Sequence, residues 1–229
     1  MVPPPVLEDR RLRDLPHSGR GYGLVLLLVG ASIVFRMSAG SSNVTLFVSV
    51  LLQAVTLVVA VWIAGARRRA VRVAAYIAAF AALASLVLWI VRGDIPVGPI
   101  AVVNGLLVSV APIVIAAGLV RELRRERVVD AQTLSGVLAI YLLVGMLFSF
   151  VYAVIGAVDS DVLFAKGGTP TAADELYFSF VTLCTVGYGD LTPAGDLART
   201  VAIGEMLIGQ IYLVTVVSLI VANMGRRPG

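Results

Sequence analysis

A chain of 229 residues that is 59% hydrophobic and 14% charged is too apolar for a soluble domain and long enough for several membrane crossings. One cysteine and one histidine leave no intrachain disulfide, no histidine cluster and no catalytic dyad, so neither enzymatic chemistry nor a cofactor is expected. The net charge of +4 comes from short arginine clusters between apolar stretches, which is a topology signal and not a nucleic-acid surface.

In chain order, residues 1–21 are polar, carry Pro3-Pro4-Pro5 and several charges, and read as a cytoplasmic tail with no signal peptide. Apolar stretches at about 22–40, 44–66, 73–91 and 96–120 come next, and together they make a four-helix transmembrane domain over 22–120. The fourth stretch cannot sense voltage strongly. Each charge moved through 100 mV is worth about 2.3 kcal/mol, and residues 93–120 contain no Lys or Arg. Arg121, Arg124 and Arg127 are spaced by three, but they begin after the span and alternate with Glu122 and Glu126. That pattern predicts an amphipathic cytoplasmic linker over 121–132, coupling the first four spans to the last two.

The remainder, 133–229, reads as a pore domain: an outer helix at 133–157, an inner helix at 198–224 and a re-entrant segment at 174–190 between them. Carboxylates at Asp174 and Glu175, a cap at Asp174 or Thr171, and an apolar body through Cys184 predict a short helix over 174–184. The six residues Thr185-Val186-Gly187-Tyr188-Gly189-Asp190 come next. Two glycines two positions apart can take left-handed angles that cost other residues about 1 kcal/mol or more, which is what a tube lined by backbone carbonyls requires.

This hexapeptide and the helix before it resemble the signature of the tetrameric potassium channels, and the last span is similar to the inner helix of the bacterial two-helix pore family. The resemblance implies an all-α membrane protein with six transmembrane helices in a bacterial plasma membrane. Potassium would be the transported ion, and Thr185, Val186, Gly187, Tyr188 and Gly189 would form the filter that binds it. Asp190, Tyr177 and Glu205 would support that filter. Some bacterial channels place a carboxylate on the pore helix opposite the aspartate. Val181 stands there in this chain, so the inactivation behaviour of those relatives does not carry over.

One filter segment per chain cannot close a ring, so the expected unit is a homotetramer of this chain and three further copies, embedded in membrane lipids. With both termini cytoplasmic, fourteen of the 18 Lys and Arg residues fall inside, and Arg36, Arg92, Lys166 and Arg199 fall outside. Asp159, Asp161, Asp174, Glu175, Asp190 and Asp196 would surround the outer mouth and raise local cation concentration. Glu205 is the one acid inside a span and is expected to hydrogen-bond behind the filter. Cys184 reads as a small packing residue.

Gly209, midway along the inner helix, is the hinge candidate, with tight packing as the alternative. Val214, Val217, Ser218 and Val221 form a stripe that could line the cavity and the inner gate. No further domain is expected after the sixth span. A cation channel of relaxed selectivity, and an accessory subunit of a potassium transport system, are the alternative readings.

Overall fold

The computed structural model describes residues 21–40, 42–94, 96–126, 129–158 and 163–223. It is all-α, with no named strand among the described residues. Helix α1 spans Tyr22–Ser38, α2 Asn43–Ile63, α3 Arg68–Arg92, α4 Val97–Glu126 and α5 Ala131–Val158. The short α6, Ala172–Leu183, leads to α7, Asp196–Ile211, which continues through a π-helical segment, Tyr212–Val217, into α8, Ser218–Asn223. Among the described residues, five stretches are long and apolar enough to cross a membrane, including Asp196–Asn223 taken as one. The apolar α1, with 17 residues, lies at the lower end of spanning length. The protein is an integral membrane protein.

Local chemistry sets the ends. Ser42 caps α2 by accepting a hydrogen bond from the Thr45 N–H, and α3 stops at Gly93, whose φ of 77° is the left-handed conformation glycine adopts without cost. The Asn43 side chain donates to the Gly93 carbonyl (3.1 Å), joining the start of α2 to the end of α3. At the opposite end of the bundle, the Gly23 N–H at the start of α1 donates to the Gln132 side chain at the start of α5 (3.1 Å). Helices α1 and α5 therefore run side by side in the same direction.

The main core lies where α1, α2, α4 and α5 meet, around Val25, Val29, Val50, Ile115, Leu143, Met146 and Phe150, all at most 1% exposed. Helix α3 turns the small residues Ala74, Ala78, Ala81 and Ser85 inward, while Tyr76, Phe80 and Ile90 stand 73% exposed. Such small residues let helices approach closely where lipid removes the hydrophobic drive to associate. A second cluster joins the end of α5 to α6 and the start of α7, where Phe178 makes edge contacts with Tyr152 (5.0 Å) and Phe164 (5.2 Å).

The separate linker expected over 121–132 is not a distinct helix. Residues 121–126 continue α4 without a break, and α5 begins at Ala131. Neither Gly nor Pro interrupts the helix between Val120 and Glu126, and Arg121 is held against the bundle. Its Nε donates to the Ala117 carbonyl (3.0 Å), and a terminal nitrogen donates to the Ala64 carbonyl at the end of α2 (3.0 Å).

One turn above, Gly118 permits this contact. A Cβ there would come within 2.9 Å of the Ala64 Cβ and 3.1 Å of its Cα. Gly118→Val should therefore lower stability by about 1–3 kcal/mol, the usual cost of overpacking a close contact, read as a lower thermal midpoint in detergent.

Candidate functional site

Helix α6 is fixed at its start by a reciprocal cap. The Thr171 hydroxyl accepts from the Asp174 N–H (3.2 Å), and the Asp174 carboxylate accepts from the Thr171 N–H (2.9 Å). The helix starts two residues earlier than the sequence suggests because Thr171 takes the cap and frees Asp174 to be its third residue. After Leu183 the chain folds back on the helix end: Thr185 N–H donates to the Thr182 carbonyl and Val186 N–H to the Val181 carbonyl, each at 2.9 Å.

From there the backbone alternates. Thr185, Gly187 and Gly189 have φ of 56°, 57° and 80°, and they are separated by Val186 and Tyr188. The glycines were legible in the sequence. Thr185 was not, because nothing in a threonine announces a left-handed backbone that costs it about 1–2 kcal/mol. The Tyr188 ring lies parallel to Tyr177 on α6, with centroids 6.5 Å apart and planes inclined by 6°. The Tyr177 hydroxyl hydrogen-bonds Asp190 and, together with nearby backbone N–H groups and Lys166, holds that exposed carboxyl below the usual carboxylate range. Beside the hexapeptide, Ile33, Met37, Phe180, Val181, Cys184 and Val186 contribute to an open surface groove of about 280 Å³.

Three helices meet at Glu205, which is fully buried. Its carboxyl accepts from the Tyr152 hydroxyl of α5 (2.7 Å) and lies 2.5 Å from the Ser179 hydroxyl of α6. Ser179 Oγ also stands 2.6 Å from the Gly145 carbonyl of α5. A hydroxyl carries one proton and cannot donate to both neighbours at once, so a carboxylic acid or an amide at position 205 completes the set in a way a carboxylate does not.

One turn further along α7 sits Gly209. A Cβ there would collide with the Leu183 carbonyl at the end of α6, so the residue is required for close approach whether or not the helix bends. The regular helix gives way three residues later, at Tyr212. The Tyr212 hydroxyl donates to the Val137 carbonyl of α5 (2.8 Å), and its ring stacks on Tyr141 (5.8 Å). Tyr141 in turn donates to the Leu183 carbonyl (3.2 Å).

The remaining predicted positions divide. Val214, Ser218 and Val221 are exposed, whereas Val217 is half-buried and packs on the main core. The π segment, with its wider turn, carries Val217 off the stripe that a regular helix would present. Among the acids assigned to the mouth, Asp190 and Asp196 are exposed and Asp174 caps its helix, but Glu175 is only 4% exposed, turned in toward Arg36. Asp159 and Asp161 lie outside the described residues.

Tyr141, Tyr152, Ser179 and Tyr212 hold this arrangement together and were not singled out by the sequence reading. Their signal was spacing: Tyr141, Gly145 and Tyr152 share one face of α5, as Glu205, Gly209 and Tyr212 share one face of the inner helix. On this geometry Glu205→Gln should keep wild-type thermal stability within about 1 kcal/mol, because an amide both donates and accepts. Glu205→Ala should cost about 3 kcal/mol or more by leaving a cavity and unsatisfied Tyr152 and Ser179 hydroxyls. Parallel melts of the two variants check this.

Residues 136–226 match the ion-channel family. Over 69 residues, 30% of this chain and 14% of the relative, the protein is 45% identical to "Two pore potassium channel c" of Oryza sativa subsp. japonica. It is 38% identical over 87 residues to "Inward rectifier potassium channel Kirbac3.1" of Paramagnetospirillum magnetotacticum, covering 38% of this chain and 28% of that one. Over 54 residues it is 46% identical to "Protein LctB" of Geobacillus stearothermophilus, covering 24% of this chain and 40% of the relative. The chain thus spans well under half the length of each of these relatives, and no solved structure matches. Residues 136–226, from the first turns of α5 past the end of α8, are thus similar to the ion-channel family and, over shorter stretches, to two proteins described as potassium channels.

Proposed function

We propose that the protein is a potassium-selective channel in which four copies bring their Thr185–Gly189 segments around one axis. The observation that carries this reading is the alternation of left-handed angles at Thr185, Gly187 and Gly189 directly after a capped, buried helix. Such alternation turns successive peptide oxygens the same way, and rings of backbone oxygens can replace the hydration shell of a cation. Val186 and Tyr188 pack outward, Tyr177 and Asp190 brace the outer end, and Glu205 holds α6 from behind.

Assembly with three further copies is supported by the surface the single chain leaves bare. Leu207, Ile211, Val214 and Leu219 on the inner helix are 58–64% exposed, on the element that packs against the filter-bearing helix. In the tetramer this surface meets neighbouring copies and the central cavity, and the exposed Val214, Ser218 and Val221 narrow its inner end. Gly209 lets the inner helix lie against Leu183, and the π segment just past it is where the lower half swings. Membrane lipid covers the outward faces of α3 and α4, and both termini lie in the cytoplasm.

Reversal potentials in mixed potassium and sodium test the reading. A shift favouring potassium by tenfold or more in permeability is expected, and Gly187→Ala should abolish it, since a Cβ opposes the left-handed angle. Equal permeability of the two ions in the wild type would contradict it.

Conduction should also depend weakly on voltage, because Arg121, the first basic residue of α4, sits at the end of the span bonded to Ala64. A current–voltage series showing several elementary charges moved per tetramer would contradict this.

A further inference from the structure

The four-helix unit touches the filter-bearing helix through a buried ion pair. Arg36, in the last turn of α1, places a terminal guanidinium nitrogen 2.9 Å from a carboxylate oxygen of Glu175, in the first turn of α6. The residues are 7% and 4% exposed. The guanidinium carbon also lies 4.3 Å from the centroid of the Phe150 ring on α5, so the cation is clamped between a carboxylate and an aromatic face. One pair thus joins α1, α5 and α6, 139 residues apart along the chain at its two ends.

Stability alone does not account for this pair. Removing two charges from water offsets most of their attraction, and an apolar pair of similar volume holds such a site at least as well. Arg36 Nε, moreover, is buried with no hydrogen-bond partner among the described residues, a cost that a purely structural contact has no reason to carry. What a buried pair does provide is register: if one charge slides, the other is left unpaired. Glu175 and Ser179 are four residues apart on one face of α6, so Arg36 at the first turn and Glu205 at the second hold the same stripe of that helix. From Glu175 to Leu183 the helix runs about 12 Å as a rigid rod, ending where the filter backbone begins.

We propose that Arg36 and Glu175 are positioning residues for the filter: through them the four-helix unit fixes the axial position of α6 and the backbone of Thr185–Asp190. The unit then acts on the filter directly, at the outer end of α1, in addition to its covalent connection from α4 to α5. This inference rests on the channel reading, but its first test does not require current.

Hydrogen–deuterium exchange of the assembled protein in lipid nanodiscs compares wild type, Glu175→Gln and the double variant Arg36→Met with Glu175→Leu. Glu175→Gln preserves side-chain size and an acceptor for Arg36, which guards against misfolding, and the double variant leaves no charge unpaired. The expected result is at least threefold faster exchange of the Thr185–Asp190 amides in both variants, with exchange across α2 and α3 unchanged. Filter exchange within threefold of wild type in either variant, or acceleration spread equally over α2 and α3, would overturn the proposal. Single-channel recording gives the second readout, and open probability should move by threefold or more in the same variants. A wild type that passes no potassium would contradict the channel reading and leave the exchange result standing by itself.

Discussion

The helix that leads into the non-helical Thr185–Asp190 stretch is anchored from behind by one buried carboxyl. A backbone that leaves helical geometry within a membrane must be held from all sides by protein, because lipid supplies no hydrogen bonds. Glu205 supplies the hold by binding Tyr152 of α5 and Ser179 of α6 from its own place on α7. Helices α5, α6 and α7 are thereby keyed to one another at a single height, one turn before α6 ends and the Thr185–Asp190 stretch begins. An acid in a span is expensive when fully excluded from water, and here two hydroxyl partners offset that expense.

Close packing carries the arrangement onward. Gly209 brings the inner helix against the Leu183 carbonyl, and Tyr141 donates to that same carbonyl from α5. The end of α6 therefore cannot shift without disturbing both neighbours. Outside this frame, the chain before α6 is strapped to the chain after the hexapeptide. Ala165 N–H donates to the Thr192 carbonyl and Ala194 N–H to the Leu163 carbonyl, at 2.9 and 3.1 Å, flanking the paired Phe164 and Pro193. The Thr185–Asp190 segment is thus held through the end of α6 and through the chain on either side of it.

Much of this was legible in the letters. Apolar run lengths located the six long helices, apart from extra turns at the start of α3 and the end of α4, and the Gly-Tyr-Gly spacing marked the stretch of left-handed backbone, because both follow from local rules of hydrophobicity and backbone freedom. The position of Glu205 marked it as bonded, since an unpaired acid would not persist in a span. Its partners were less visible. Tyr152 and Ser179 are individually unremarkable, and only their register against α7 gives them a role. Arg36 and Glu175 misled for the same reason: each lies near a span end and reads as a surface charge until the tertiary fold puts them together. The π segment has no local signature at all, and it displaced Val217 from a stripe that counting by regular turns had included.

The account makes the hexapeptide a cation path and not merely a tight turn, and direct observation of ions within it is the decisive measurement. Crystals of the assembled protein grown in thallium, a potassium mimic with strong anomalous scattering, would be compared with crystals grown in sodium. The account predicts a fourfold axis carrying a column of anomalous peaks level with Thr185 to Gly189, absent in sodium alone. An assembly without fourfold symmetry, or a fourfold axis with no peak between Thr185 and Gly189, would contradict it.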